Sequence, residues 1–399
     1  MTEQTDSSQP FPQNFDHTSP ALAAQLHETL AMLRSTCPIA RSERRGGFWI
    51  ITRYEDVVRV AKDWATFSST HGVAPGTSEM TVKAIPEHVD PPLHLSYKRL
   101  INVWFTPQAM ARNEQATRVL VSNLIDNFAH RGHCEFMTEF ARPYPSRGFF
   151  ELILGAPPQE SAHVNQVVMT ATDPKQPGSK QAWVQLIDWI RVFLNNRKAE
   201  PRRRDVIDAV LHAQIEGRPI TEEEVLGIVQ LLLLGGLDTT AGALGTAMIR
   251  LCEDPHLFKN LRANPQRIPE AVEELLRLDG PFIAIGRTAM KDVEIGGQLI
   301  KAGDKVLLYW TAANRDPAEF PNPDDFDLNR ENKRHLSFGV GTHTCAGLSL
   351  ARMNLRVALE ELVRRLDDVR LEPQAGPPQY HSGLTRFPLS LPIRFKAST

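Results

Sequence analysis

A chain of 399 residues, 42% of them hydrophobic, holds enough apolar side chain for a large core. Its formal net charge of −2 excludes a global attraction to nucleic acid or to an anionic membrane. Its four cysteines, Cys37, Cys134, Cys252 and Cys345, stand far apart, which excludes a zinc knuckle and a C-x-x-C redox pair and points to a reducing cytosol.

Residues 1–18 are polar and lack an apolar core, so they read as a flexible tail, neither signal peptide nor anchor. Ser19 and Pro20 supply a cap and first position for a helix through "ALAAQLHETLAMLRS". "GFWIITR" is aromatic and β-branched and predicts a strand; "YEDVVRVAKD" predicts a helix. Residues 68–92 are irregular and rich in Gly, Pro and Ser, a length that marks a functional or mobile loop. From Pro91 to about residue 200 the spacing is helical, interrupted at Gly132, Pro143, "GAPP" and "DPKQPG". Thr221 and Glu224 form a capping box, and no proline follows until Pro255. A helix of about 33 residues is therefore expected, roughly 50 Å long at ~1.5 Å per residue. Its apolar run, "IVQLLLLGGL", is too short to span a bilayer. Further helices reach Leu278, short strands with glycine turns occupy 282–311, and a helix covers about 346–366 after a glycine-punctuated loop. No repeat or linker divides residues 19–399, so one mainly α domain with small β-sheets is expected.

Four separated segments carry the chemistry: "DPPLHLSYKR", "GGLDTTAG", "EELLR" and "FGVGTHTCAG". In the last, Cys345 sits in a loop that enters a helix, where backbone N–H groups can stabilise a thiolate. Gly339, Gly341 and Gly347 allow close approach of the backbone to a neighbouring group. That loop matches Phe-Gly-x-Gly-x-His-x-Cys-x-Gly at every defined position. With the other three segments in order, the chain from about residue 20 onward resembles the cytochrome P-450 haem-thiolate monooxygenases of the soluble bacterial type. The resemblance implies a triangular helical prism around a buried haem b, with the Cys345 thiolate as axial iron ligand and O2 as co-substrate. A thiolate ligand donates electron density that favours O–O cleavage.

The same resemblance carries further roles onto this chain. His94, Lys98, Arg287 and His343 are expected at the haem propionates, and Phe338 over the sulfur. Lys98 departs from the arginine usual in the family and lacks its bidentate fork; Arg99, next to it, points about 100° away. Glu274, Arg277 and Arg330 are expected to form a structural network behind the cysteine loop, while His335 is expected to have no special role. Asp238 and Thr239, an acid and a hydroxyl in an apolar helix, are the expected proton relay. Gly235 and Gly236 beside them leave room for O2. Leu231, Leu234, Gly235, Phe282 and Ile283 are expected to line an apolar substrate pocket, with residues 68–92 and a hairpin at "SGLTRF" closing it. Arg386 is the one candidate for pairing with a substrate carboxylate.

No G-x-G-x-x-G nucleotide module is present, so electrons are expected from a ferredoxin and its NAD(P)H-dependent reductase. Lys98 or Arg99, Lys333, Arg334 and Arg352 are the expected docking patch. The expected protein is a cytoplasmic monomer without nucleic-acid or membrane partners. It hydroxylates, dealkylates or epoxidises a small to medium hydrophobic molecule. The alternatives are a peroxide-driven peroxygenase, which Thr239 argues against, and a non-catalytic haem, ligand-binding or carrier-docking protein.

Overall fold

The structure, a computed structural model, describes residues 11–76, 80–173 and 175–397. Its centre is the segment opened by Thr221, whose hydroxyl accepts from the Glu224 N–H while the Glu224 carboxylate takes the Thr221 N–H. Helix Glu222–Gly236 is followed by helix Asp238–Glu253, with Leu237 bent between them at φ −95°, ψ −59°. One unbroken helix was expected. The break has a local cause: the Thr239 hydroxyl donates to the Gly235 carbonyl at 2.9 Å, competing with the helical N–H, and two glycines make the departure cheap. Although its apolar run alone was expected to be too short to span a bilayer, the whole stretch Glu222–Glu253 is long and apolar enough to cross a membrane, the one such stretch among the described residues, and it is largely buried inside the fold.

Packed around it are Glu114–Ala129, Ser161–Thr172, Ser179–Ala199, Ile268–Asp279 and Leu348–Arg365. Most of the buried aliphatic and aromatic side chains form one continuous cluster among these helices. The break expected at "GAPP" falls at Gly155, which adopts φ 62°. A five-stranded sheet lies to one side, in the spatial order Ile39–Ser42, Phe48–Ile51, Lys305–Tyr309, Ala284–Ala289, Phe67–Ser68. Three short strands, Leu366–Leu371, Pro392–Ala397 and His133–Glu135, make a second sheet. The strand expected at "GFWIITR" is Phe48–Ile51, buried on both faces between the sheet's two core clusters.

Residues 11–18 do not behave as a loose tail. Phe15 is 2% exposed and meets Phe48 and Tyr309 edge-on, and the Thr18 carbonyl accepts from Lys175 and Ser382. Residues 1–10, the rest of the expected tail, lie outside the described residues.

The irregular segment before the "DPPL" helix is stitched to the central helix. The Ile85 N–H donates to the Gly227 carbonyl at 3.1 Å, and the Gln230 amide donates to the Val82 carbonyl at 3.0 Å. Gly227 is required there, because a Cβ would strike the Lys83 carbonyl oxygen and lie 3.1 Å from Ile85. Gly227→Ala is expected to push residues 82–89 off the helix and destabilise the fold by about 1–3 kcal/mol. Chemical denaturation reads this directly, and an unchanged midpoint would refute the stitch.

Candidate active site

The loop from Leu336 to Gly347 is held by its own backbone. The Cys345 N–H donates to the Phe338 carbonyl at 2.8 Å, and Gly339 and Gly341 adopt φ of 68° and 80°. Cys345 is exposed as a residue, yet burial raises its thiol above the ordinary range. A residue both exposed and enclosed faces an internal hollow. The Gly347 N–H and the charges of Lys98 and Arg352 oppose that rise and favour a thiolate. Metal coordination is what keeps such a thiolate ionised.

Basic groups converge beside it. The His94 and His343 rings lie 4.3 Å apart, and Ser69 Oγ is 3.5 Å from His343 Nε2. Arg287 is 3% exposed, gives one N–H to the Gly286 carbonyl, and makes no ion pair among the described residues. Burial lowers both imidazoles, His94 to about 4 and His343 to about 2, and the neighbouring Arg287 and Lys98 depress them further. His94 Nδ1 and Thr342 Oγ1 are buried without a hydrogen-bond partner. Glu87 and Asp90 are near enough to act on this set, but among the described residues no carboxylate pairs directly with Arg287, His94 or His343, and the two propionates of a haem would supply such partners. The haem therefore fits: Cys345 would ligate its iron, and His94, Arg287 and His343 would meet its carboxylates. Lys98 is placed otherwise. Its ammonium donates to the carbonyls of Thr342 and, at 2.7 Å, Thr344, so it fastens the cysteine loop itself. Arg99 is turned outward to Ser96.

On the central helix Gly235 is exposed, with nothing within 4 Å of where a Cβ would stand, and Leu231 and Leu234 are half-buried beside it. Gly236 instead abuts the Phe149 ring. Burial raises the Asp238 carboxyl to about 7, against the Arg142 charge and a hydrogen bond from Asn165. Neither Arg142 nor Asn165 was legible in sequence, since they come from other helices.

Glu274 and Arg277 are joined by two hydrogen bonds of 2.9 and 2.8 Å, and Arg330 Nε lies 2.9 Å from Glu274 Oε1. All three side chains are nearly inaccessible. Phe282 is half-buried and pairs with Thr385 of the C-terminal turn, where His381 bonds back to Phe387, the expected hairpin. Ile283, expected in the pocket, is 4% exposed and belongs to the core cluster with Phe15, Leu26 and Tyr309. Strand alternation sends it to the face opposite its neighbour. Arg386 is also turned away from any substrate: it donates to the Ala23 carbonyl at 2.6 Å and stacks on Tyr380.

Two expectations near the loop need correction. His335 is not idle; its Nε2 is 3.1 Å from the Glu273 carboxylate. Arg352 and Arg334 are not free docking charges, because Arg352 is doubly bonded to Glu273 and Arg334 is paired with Glu319.

Comparison with known proteins agrees with this geometry. The sequence model described as Cytochrome P450 matches residues 164–391. The nocardicin C N-oxygenase of Nocardia uniformis subsp. tsuyamanensis is 33% identical over 386 residues, 93% of this chain and 96% of that one. The solved structure of cytochrome P450 CYP109Q5 from Chondromyces apiculatus superposes with a TM-score of 0.84 at 31% identity, covering 96% of this chain and 98% of that one. Cytochrome P450 PksS of the Bacillus subtilis bacillaene polyketide synthase superposes at 0.87 and 28% identity, over 96% and 100%. An enclosed thiol, an anion-seeking cluster and these likenesses converge: the chain belongs to the cytochrome P450 family of monooxygenases.

Proposed function

We propose that this cytochrome P450 transfers one oxygen atom of O2 to a small or medium hydrophobic molecule, by hydroxylation, heteroatom dealkylation or epoxidation. Its electrons come from a cytoplasmic ferredoxin served by an NAD(P)H-dependent reductase. Bound haem with a cysteine thiolate supplies the iron at which dioxygen is reduced and cleaved. The chain's own residues do the rest.

One observation carries the reading: at the break in the central helix an acid near neutrality stands beside a hydroxyl. Asp238, at about 7, both gives and regains a proton at its carboxyl oxygen near neutral pH. Thr239, whose hydroxyl rests on the Gly235 carbonyl, passes protons inward beside the open Gly235. Leu231 and Leu234 keep the surroundings apolar and limit water, so that protons arrive singly. The half-buried apolar side chains of Leu231, Leu234 and Phe282 favour a hydrophobic substrate.

Thr239→Ala is expected to consume NAD(P)H at a similar rate but release more hydrogen peroxide and less product. Both are measured with a hydrophobic ligand chosen by its spectral shift. Unchanged coupling would remove Thr239 from the relay. Turnover by peroxide alone, as fast as with the full electron-transfer chain, would overturn the reading in favour of a peroxygenase.

A further inference from the structure

Helix Ile268–Asp279 presents two adjacent carboxylates that do different things. Successive helical residues point about 100° apart. Glu274 therefore faces Arg277 and Arg330, while Glu273 faces the cysteine loop. Arg352, on the helix that follows Cys345, grips Glu273 through Nε at 2.7 Å and Nη2 at 2.8 Å. The Glu273 Oε2 is also 3.1 Å from His335 Nε2. His335 Nδ1 accepts the Ser337 N–H at 3.3 Å, which assigns the ring proton to Nε2 and makes it the donor to Glu273.

The two groups held by Glu273 enclose one aromatic ring. The Arg352 guanidinium carbon lies 4.8 Å from the Phe338 centroid, and the His335 ring lies 5.9 Å from it. Phe338 in turn accepts the Cys345 N–H. Ser337 adds a bond to the Leu276 carbonyl at 2.6 Å, and Asn314 bonds both Ser337 and the Leu336 N–H. One carboxylate thus clamps both flanks of the loop, at His335 before Cys345 and at Arg352 after it.

The clamp also settles a charge. Lys98 and Arg352 are the two cations acting on the Cys345 sulfur. Lys98 is bonded to carbonyls, whereas Arg352 is neutralised by Glu273. Burial works to raise the Glu273 carboxyl, but hydrogen bonds from His335 and Arg352 overcome it and hold the group at about 2. It stays ionised throughout the working range.

We infer that Glu273 is a positioning residue that fixes the cysteine loop through His335 and Arg352 and tunes the reduction potential of the iron by cancelling the Arg352 charge beside Cys345. This rests on Cys345 being the iron ligand. Without the Glu273 charge, Arg352 draws electron density from the thiolate and eases reduction of the iron. Without Arg352, the Glu273 anion does the opposite. Lys at position 352 keeps the charge but loses the fork and the stacking on Phe338.

The test is spectroelectrochemical titration of the haem-loaded full-length protein, with the carbon monoxide spectrum of each reduced variant. Glu273→Gln is expected to shift the potential positive and Arg352→Gln to shift it negative. Together in one chain they should return it toward the wild type. Arg352→Lys should keep the wild-type potential but lose haem faster on heating. If Glu273→Gln does not fold, the contrast between a negative shift in Arg352→Gln and an unchanged potential in Arg352→Lys decides the matter alone. Shifts of one sign in all variants, or none while the thiolate-type spectrum persists, would overturn the inference and leave a purely mechanical brace. A wild-type spectrum of the histidine-ligated kind would instead sink the reading of Cys345.

Discussion

Arg277→Leu is expected to yield protein that retains almost no haem and is less stable by about 3–5 kcal/mol, the usual consequence of breaking a buried ion pair from one side. Arg277 is 1% exposed and gives two hydrogen bonds to Glu274. It also bonds the carbonyls of Asn314, Pro323 and Asp325 at 3.0, 2.6 and 2.9 Å. These carbonyls belong to the proline-rich segment that leads into the cysteine loop. Leucine removes the guanidinium donor from the Asn314 and Pro323 carbonyls, leaves the Asp325 carbonyl to Arg330, and leaves Glu274 with Arg330 and the Asp327 N–H. The loss falls on folding and haem retention, because Arg277 touches neither Cys345 nor Asp238. Urea denaturation and haem content per chain measure it. A wild-type midpoint with full haem would refute the network's structural role.

Asp238→Asn is expected to lower kcat by about 10²-fold or more, the scale of a lost general acid, while the carbon monoxide spectrum stays that of the thiolate-ligated protein. Asparagine preserves the shape and can still meet Asn165, so the loss isolates the proton. The pH dependence adds a second signature. The folded carboxyl titrates at about 7 and an unperturbed one at 3.8. Folding therefore favours the protonated form. The associated stability is fully present below pH 3.8 and is lost as pH rises through about 7. Thermal melts of the wild type should fall across that interval relative to Asp238→Asn, which lacks the titrating group. Parallel melting curves would refute the buried, near-neutral acid. Turnover should also decline above neutrality as the acid loses its proton.

Much of this was legible because the informative residues are contiguous. The loop "FGVGTHTCAG" folds on itself, so its spacing already holds its geometry, including the positive φ of Gly339 and Gly341. Thr221 and Glu224 close a capping box within one turn, and Glu274 and Arg277 meet within another. Asp238 and Thr239 were identifiable as unfavourable choices inside an apolar helix. The bend at Leu237 was less visible, since it depends on a side-chain hydroxyl winning a carbonyl from the backbone.

What was not legible depends on partners far away in sequence. Nothing next to His335 indicates that a carboxylate 62 residues earlier will meet it, or that the same carboxylate will take Arg352 out of the surface charge. Arg386 and Ile283 looked like pocket residues because their segments are near one, yet each side chain points to the core or the N-terminal helix. Lys98 looked like an arginine substitute at a propionate; the reach of its stem brings it instead to two loop carbonyls.

By itself the sequence determined the helical class and the form of the cysteine loop, and it singled out Cys345, Asp238 and Thr239 as the proposed ligand, acid and hydroxyl, because each is written within a few turns of backbone. Only the tertiary structure decided which charges are free and which are spent, and which side chains face the hollow. Those questions turn on contacts between segments tens to hundreds of residues apart, and an ion pair or a turned side chain leaves no local trace in the chain that makes it.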